Sequence, residues 1–196
     1  MSLLGLEAIG PECERFMAET VLPLIYTAIP DVQLVLNEAK ALIDDIQNWP
    51  NGKTYHGVQT SKRSAGAGPS WFSRTSIHPP ADGSFDEFWA CLGVDHSLNE
   101  SEYIPEIKSA SLVKSFGEFQ GWTLGYKFFP PIADRVFTIL ITCILEESPT
   151  RQGFVISLPL NVSADETLRS KEPRGVRGHY VSVERVKELD GQVEWM

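Results

Sequence analysis

The spacing of the hydrophobic residues changes abruptly at Trp49-Pro50-Asn51-Gly52, and this change constrains the fold more than any other feature. Before it, from Val35 to Trp49, apolar residues recur every three or four positions, which is the period of an amphipathic helix. After it, apolar and polar residues alternate, which is the period of β-strands. Proline and glycine at the junction stop the helix. The sequence therefore predicts a helical beginning followed by a sheet, an α+β architecture.

Two further helices are predicted to interrupt the strands. Ser84 with Glu87, and Ser97 with Glu100, have the spacing of capping boxes that begin helices. We also expect a short helix over residues 12–22 and a polar loop over Asn161–Gly178. Alternation and turn residues predict strands over residues 53–60, 71–78, 112–116, 121–129, 135–146, 154–160, 179–187 and 193–196.

These elements predict one curved antiparallel sheet of about six to eight strands. We expect the N-terminal and inserted helices to cover it and to enclose an apolar cavity. Residues 1–50 are predicted to form a helical segment that packs on the sheet. Residues 51–196 are predicted to form the sheet domain, and the whole is one globular unit.

Charge and composition narrow the function classes. Asp and Glu number 26 against 17 Lys and Arg, so the net charge is −9, which argues against nucleic acid or anionic headgroups as main partners. The longest apolar stretch, Val136–Leu145, is shorter than the roughly 20 residues that span a bilayer. We expect no stable membrane insertion and a cytoplasmic location. The three cysteines lack metal-ligand spacing and no phosphate-binding motif is present, so neither metal nor cofactor is expected.

Three polar groups are candidates for orienting a ligand. Arg74 and His78 share one side of a predicted strand with Phe72 and Ser76, where they form either a structural pair or a polar spot inside an apolar pocket. Arg135 shares a face with Phe137, as a member of a buried ion pair or as a contact for the polar end of a ligand.

The aromatic residues suggest more than an ordinary core. Seven of them lie in the predicted strands or beside them: Trp71, Trp122, Tyr126, Phe128, Phe137, Phe154 and Tyr180. A thin layer of sheet on helix rarely needs so many, so we expect an apolar cavity for a flat or chain-like molecule. The candidate ligand-binding residues are Trp71, Arg74, Tyr103, Trp122, Leu124, Arg135, Phe137, Phe154 and Ile156. The candidate catalytic residues are His78, Tyr126 and Tyr180.

Five segments, in this order along the chain, carry a family resemblance: Trp71-Phe-Ser-Arg-Thr-Ser-Ile-His78, Phe85-Asp-Glu-Phe88, Asp95-His-Ser-Leu-Asn-Glu-Ser-Glu-Tyr-Ile104, Phe128-Phe-Pro-Pro-Ile-Ala-Asp-Arg-Val-Phe-Thr-Ile-Leu140 and Gly178-His-Tyr-Val-Ser-Val-Glu-Arg-Val186. This ordered set resembles a family of uncharacterised fungal START-like domains in the helix-grip superfamily.

The resemblance implies a curved antiparallel sheet that grips a C-terminal helix around a hydrophobic tunnel. Superfamily relatives bind sterols, phospholipids or other apolar molecules, and some are cyclases or condensing enzymes without a cofactor. In this sequence the family pattern stops at Val193-Glu194-Trp195-Met196, before the gripping helix. We expect N-terminal helices, a second subunit or a large ligand to cover the exposed apolar face, so a homodimer is one possibility.

Three functions remain open on the sequence. The first is a protein that binds a hydrophobic small molecule such as a lipid, terpenoid or polyketide. The second is a cofactor-independent cyclase, isomerase or pericyclase of fungal secondary metabolism, which acts by holding a reactive conformer. The third is an interaction module whose apolar face binds another protein.

Overall fold

The computed structural model describes residues 23–63 and 70–196. Its helices are α1 (Val32–Asp45), α2 (Phe85–Leu92), α3 (His96–Tyr103) and α4 (Glu166–Arg169). Its strands are β1 (Leu24–Ile25), β2 (Asn51–Tyr55), β3 (Val58–Arg63), β4 (Trp71–His78), β5 (Ile107–Phe116), β6 (Phe119–Tyr126), β7 (Arg135–Glu146), β8 (Gln152–Asn161), β9 (Val176–Gly178), β10 (Ser182–Leu189) and β11 (Gln192–Trp195). The helix predicted over residues 12–22 lies outside the described ranges.

The strands form one sheet in the order β2-β3-β4-β11-β10-β8-β7-β6-β5, and each neighbouring pair along this path is antiparallel. Two short strands join it in parallel, β1 beside β8 and β9 beside β7. The sheet is curved but not closed. The predicted α+β class is therefore confirmed, and the sheet has eleven strands in the described ranges rather than six to eight.

Both faces of the sheet are covered, each by a different helical element. The α1 face carries Phe154, Ile156 and Leu158, which pack against Val35 and Leu42 of α1. The opposite face, which we call the α2 face, carries an apolar group packed with Trp89 of α2, namely Trp122, Leu124, Ile139, Ile141 and Val155. Side chains alternate between these faces along each strand, so a shift of one residue moves a group from one environment to the other.

Of the two predicted capping boxes, the structure has one, and α1 has a side-chain cap of its own. Asp31 caps α1 by accepting from the Leu34 amide at 3.0 Å. The Ser84 hydroxyl accepts from the Glu87 amide, and the Glu87 carboxylate accepts from the Ser84 amide, which confirms the first capping box. The second box is wrong, because α3 begins two residues earlier than the box at Ser97 predicts, after Asp95, which is in a left-handed conformation and provides no side-chain cap.

The predicted strand over residues 53–60 is instead a hairpin of β2 and β3. His56 and Gly57 both have positive φ angles, 49° and 82°, and they turn the chain in the middle of the predicted strand. Two successive positive φ values are typical of the tight turns that match the twist of paired strands. The alternation of polar and apolar residues continues through a turn of this kind, so this alternation alone did not predict the turn.

Two other segments differ from the expectation. The predicted short strand over residues 112–116 begins earlier, at Ile107, since β5 pairs along β6 as far as Tyr126. The predicted polar loop over Asn161–Gly178 contains α4 and β9. Asp165 caps α4 through the Leu168 amide at 3.0 Å, which is a local signal that was overlooked.

Candidate functional site

A cavity of about 670 Å³ lies between α1 and one half of the sheet, and we call it the main cavity. This volume is in the range of small-molecule sites, roughly 300–1,000 Å³. Its lining combines the C-terminal part of α1 and the turn after it, the start of β4, the start of β10 and the end of β11. The lining residues are Leu42, Ile43, Ile46, Trp49, Val58, Ser70, Trp71, Phe72, Ser73, Arg74, Ser76, Val181, Ser182, Val183, Glu184, Trp195 and Met196.

The short length of β11 explains where this cavity lies. β11 joins β4 to β10 only opposite Ser76–His78. Beyond Trp195 the two strands border the cavity with no strand between them. The indole nitrogen of Trp71 and the hydroxyl of Ser73, both at this border, are buried without a hydrogen-bond partner in the structure. A buried polar group without a hydrogen-bond partner raises the free energy of the folded state. Such groups are often found at sites that rearrange or bind a ligand.

An aromatic cluster occupies the α2 face at the other half of the sheet. Phe137 is its centre, with ring centroids 5.2 Å from Tyr126 and 5.3 Å from Tyr180, both edge to face. Phe128 stacks on Tyr126 at 6.1 Å. Phe137 has room because Gly178 of β9 lies beneath its ring, where a Cβ would come within 2.3 Å. Burial raises the pKa of both tyrosines, and the charge of Glu100 raises both further.

An acidic cluster lies between the aromatic cluster and the main cavity. The Nε2 atom of His96 is 3.8 Å from a Glu100 oxygen and 4.0 Å from a Glu184 oxygen. The Nδ1 atom lies 2.6 Å from the Leu92 carbonyl, so a proton on Nδ1 donates there and Nε2 faces the carboxylates. The Trp195 indole donates to Glu184 at 3.2 Å. Burial, together with Glu184, raises the pKa of Glu100, while His96 opposes the shift.

Two ionisable side chains beside this cluster, Tyr103 and Cys143, are exposed to solvent and nevertheless have raised pKa values. Tyr103 is 48% exposed, and nevertheless burial, followed by the charges of Glu184 and Glu100, raises its pKa. Cys143 is also exposed, while burial and Glu184 raise the pKa of its thiol to about 12. We call this part of the α2 face, around Tyr103, Cys143 and the acidic cluster, the recess. Glu184 lies both in this recess and on the wall of the main cavity, so it links the two spaces.

The structure brings several predicted site residues together. Trp122, Leu124, Tyr126, Arg135 and Phe137 lie on the α2 face by the register of β6 and β7. Tyr180 packs against this group, and Tyr103 shares its electrostatic neighbours Glu100 and Glu184. Trp71 and Arg74 instead line the main cavity.

Three predicted residues lie elsewhere. Phe154 and Ile156 are 1% and 0% exposed and form the core under α1, so they share neither face nor surroundings with the aromatic cluster. His78 lies at the end of β4, where Nε2 pairs with the Ser76 hydroxyl at 2.9 Å and Nδ1 with Asp82 at 3.2 Å. Its ring also packs on Phe88 at 4.8 Å, which is the arrangement of a structural pair.

Sequence reasoning missed the residues that link the two spaces. The spacing from Ser97 assigns Glu100 to a helix cap, and neither His96 nor Glu184 is among the candidate site residues. The alternation of β10 does place Glu184 on one face with Val186, an acid beside an apolar residue. However, β10 lies opposite α3 only because of the order of the strands in the sheet. The clustering of His96, Glu100 and Glu184 therefore depends on contacts between residues far apart in the sequence.

Two further observations concern the described ranges. No helix in residues 23–63 and 70–196 is long and apolar enough to cross a membrane. In the same ranges, no three acidic, histidine or cysteine side chains gather in a way that suits a metal ion.

The chain belongs to a family described as a protein of unknown function, DUF3074, whose pattern matches residues 71–196. This confirms that the chain is a member of an uncharacterised family. No curated protein sequence matches the chain significantly.

Similarity to solved structures defines the fold as START-like. The human StarD13 (DLC2) lipid transfer and protein localization domain is 14% identical over 85% of this chain and 81% of its own, with a TM-score of 0.57. A STAR-related lipid transfer protein from Xanthomonas axonopodis is 14% identical over 75% of this chain and 77% of its own, with a TM-score of 0.54. Human STARD10 reaches a TM-score of 0.64 at 8% identity, over 86% of this chain and 66% of its own.

Proposed function

We propose that this protein binds a hydrophobic small molecule, of the lipid, terpenoid or polyketide type, in the main cavity. The observation that carries the proposal is the cavity itself, about 670 Å³ in volume and walled largely by apolar side chains of α1, β4 and β10. The names of the similar solved structures refer to lipid transfer, which supports the same class of ligand.

The distribution of polar groups suggests how the ligand would lie. Leu42, Trp49 and Val183 offer an apolar wall under α1, whereas Arg74 and Glu184 supply charge at the border of the α2 face. We expect the apolar body of the ligand under α1 and its polar end toward Glu184. A long ligand would continue into the recess beside Tyr180.

A variant that fills the cavity tests this proposal. Val181 is half-buried on the cavity wall, and Val181→Trp adds an indole there. The matched control is Val94→Trp, at a valine that is 52% exposed outside the cavity. The probe is N-phenyl-1-naphthylamine, a neutral apolar fluorophore that accepts energy from tryptophans such as Trp49 and Trp71 on the wall.

We expect saturable binding with energy transfer in the wild type and in Val94→Trp, and its loss in Val181→Trp. Thermal melts of all three proteins establish that they are folded. Equal probe binding by Val181→Trp and the wild type contradicts the cavity as the binding site.

The recess favours a second candidate function, a cofactor-independent cyclase or isomerase. Burial raises the pKa of Glu100 and so favours its neutral form, and the Tyr126 and Tyr180 hydroxyl groups also keep their protons. Neutral O–H groups of this kind can donate hydrogen bonds to a developing oxyanion. Turnover of a linear polyketide or terpenoid precursor that falls in Tyr126→Phe would support this function. The same rate in wild type, Tyr126→Phe and buffer would contradict it.

A further inference from the structure

The structural pair of Ser76 and His78 at the end of β4 continues to a third side chain, Asp82. The Ser76 hydroxyl lies 2.9 Å from Nε2 of His78, and Nδ1 of His78 lies 3.2 Å from an Asp82 carboxylate oxygen. A carboxylate offers only acceptor atoms, so the bond to Asp82 requires a proton on Nδ1. Nε2 of the neutral ring is then an acceptor for the Ser76 hydroxyl proton. This order of atoms is that of the catalytic triad of serine hydrolases.

The local sequence explains why the three side chains meet within residues 76–82. Ser76 and His78 are two positions apart on β4, so their side chains share one face of the sheet. The Asp82 amide donates to the Pro79 carbonyl at 2.9 Å, and this tight turn brings Asp82 back beside His78. The ring of Phe88 on α2 packs on His78 at 4.8 Å and so helps to hold the imidazole in this orientation.

Ser76 also lines the main cavity, where it borders the space that a ligand would occupy. Its hydroxyl lies 3.5 Å from the Trp195 carbonyl, which is the outer limit of a hydrogen bond, so the shorter contact with His78 is the stronger one. A neutral hydroxyl is a weak nucleophile and needs a base of this kind beside it. The pair therefore places an activated hydroxyl at the cavity wall.

A cation lies on the same face of β4. Arg74 precedes Ser76 by two positions, which is about 7 Å along a strand, and it lines the same cavity. Within residues 23–63 and 70–196, the Arg74 guanidinium forms neither an ion pair nor a hydrogen bond. A free guanidinium at this distance is placed to stabilise the negative oxygen that develops when a hydroxyl attacks an ester carbonyl.

We propose that this protein hydrolyses esters of apolar acids, with Ser76 as the nucleophile, His78 as the general base and acid, and Asp82 as a positioning residue. The Ser76 oxygen attacks the ester carbonyl carbon while Nε2 of His78 takes the hydroxyl proton, and Arg74 faces the oxyanion. The bond to the alcohol oxygen then breaks, and His78 gives its proton to the departing alcohol.

Water completes the reaction. The His78 side chain is 25% exposed, so water can reach Nε2. His78 takes a proton from this water, the oxygen attacks the acyl group on Ser76, and the proton passes to the Ser76 oxygen as the acid leaves. One ester and one water become one acid and one alcohol, and no other reactant is needed.

This activity goes beyond ligand binding and differs from a cyclase or isomerase, because a bond to water forms. It rests on the proposed function only for the acyl chain, which the main cavity would hold. A short ester needs little more than the Ser76 hydroxyl and its partners, whereas a long ester also needs the cavity. The two proposals can therefore fail separately.

Hydrolysis of two chromogenic esters by the full chain tests the proposal. The probes are p-nitrophenyl acetate and p-nitrophenyl octanoate, and the release of p-nitrophenolate is measured. We expect Ser76→Ala to lower kcat about hundredfold for both esters, since the nucleophile is lost and only water remains to attack. Ser111→Ala is the matched control, at an exposed serine on β5 outside the main cavity, and we expect it to retain the wild-type rate.

A covalent label identifies the nucleophile. A fluorophosphonate transfers its phosphonyl group to an activated serine oxygen and releases fluoride, so one peptide gains a defined mass. We expect the label on the peptide that contains Ser76 in the wild type, and labelling about tenfold slower or more in His78→Gln. Asp82→Asn should lower kcat with KM little changed, because the amide no longer fixes the proton on Nδ1. Circular dichroism melts verify that each variant is folded.

A wild type that hydrolyses neither ester faster than buffer, or takes no label on Ser76, overturns the proposal. So does Ser76→Ala at the wild-type rate, because an exposed imidazole alone would then account for the hydrolysis. A wild type that binds N-phenyl-1-naphthylamine and hydrolyses neither ester overturns the esterase alone. Hydrolysis of the acetate ester that depends on Ser76, without binding of the fluorophore, supports the triad and contradicts the cavity as the ligand site.

Discussion

Replacing Gly153 with alanine tests how α2 is attached to the sheet. Gly153 lies in β8 on the α2 face, directly under the indole of Trp89. A Cβ at this position would lie 2.1 Å, 2.3 Å and 2.8 Å from three ring carbons of Trp89. Gly153 does not have a positive φ angle, so the backbone itself tolerates alanine. The cost of the substitution therefore arises from the clash.

The magnitude follows from the displacement of the ring. The indole must move by about 1 Å or more to restore van der Waals separation, and Trp89 also packs on Gly93, where a Cβ would come within 2.4 Å. Overpacking of this kind costs about 1–3 kcal/mol. For a chain of this size, each kcal/mol lowers the melting temperature by about 2–4 °C.

The assay is urea unfolding of four proteins, namely the wild type, Gly153→Ala, Trp89→Leu and the double variant. We expect Gly153→Ala to reduce the free energy of unfolding in the wild-type background. In the Trp89→Leu background the added methyl group meets no ring, so its cost should largely disappear. An equal loss in both backgrounds, or no loss in either, would show that the indole of Trp89 does not pack directly against Gly153.

Three further predictions concern the core and the recess. Leu124→Ala should lower the free energy of unfolding by about 2–5 kcal/mol in urea titrations, because Leu124 is completely buried on the α2 face. A loss near zero would show that this face is open to solvent. In a Cys13→Ser, Cys91→Ser background, alkylation of Cys143 should accelerate about tenfold per pH unit up to its pKa of about 12, and labelling at the rate of a free peptide cysteine would contradict this. The raised pKa of Glu100 favours the neutral form in the folded state, so its contribution to stability is fully present below the ordinary value of 4.5 and is lost as the pH rises through the folded-state pKa. Glu100→Gln should therefore unfold at a higher urea concentration than the wild type near pH 7, and this difference should vanish at acid pH. A variant that is less stable than the wild type near pH 7 would show that the pair of Glu100 with His96 stabilises the fold by more than the burial of Glu100 destabilises it.

Local signals predicted much of the fold. β4 and β7 have the predicted bounds, and the capping box at Ser84 begins α2 as expected. These elements succeed because alternation, caps and breakers act over a few residues. The box at Ser97 failed because the same residues also fit a helix that begins two residues earlier, after Asp95. Glu100 then lies beside His96 instead of capping the helix start.

The site was less predictable than the fold. The alternation of β8 correctly places Phe154 and Ile156 on one face together, but it does not say which helix covers that face. α1 covers it, so these two residues form core and not the aromatic cluster. Tyr126, Phe137 and Tyr180 do meet, although they come from three separate segments. The contacts between these three side chains, and the position of Glu184, depend on the order of the strands in the sheet. That order cannot be predicted from a local sequence pattern.

We propose that this START-like chain holds a hydrophobic small molecule in its main cavity. The most direct test is native mass spectrometry of the full chain after exposure to a total lipid extract, with denaturing extraction of whatever remains bound. We expect one apolar molecule per chain in the wild type and none in Val181→Trp. The same spectra report whether the chain is a homodimer. A wild type that emerges empty, or a Val181→Trp variant that retains the same molecule, would show that the main cavity is not the binding site.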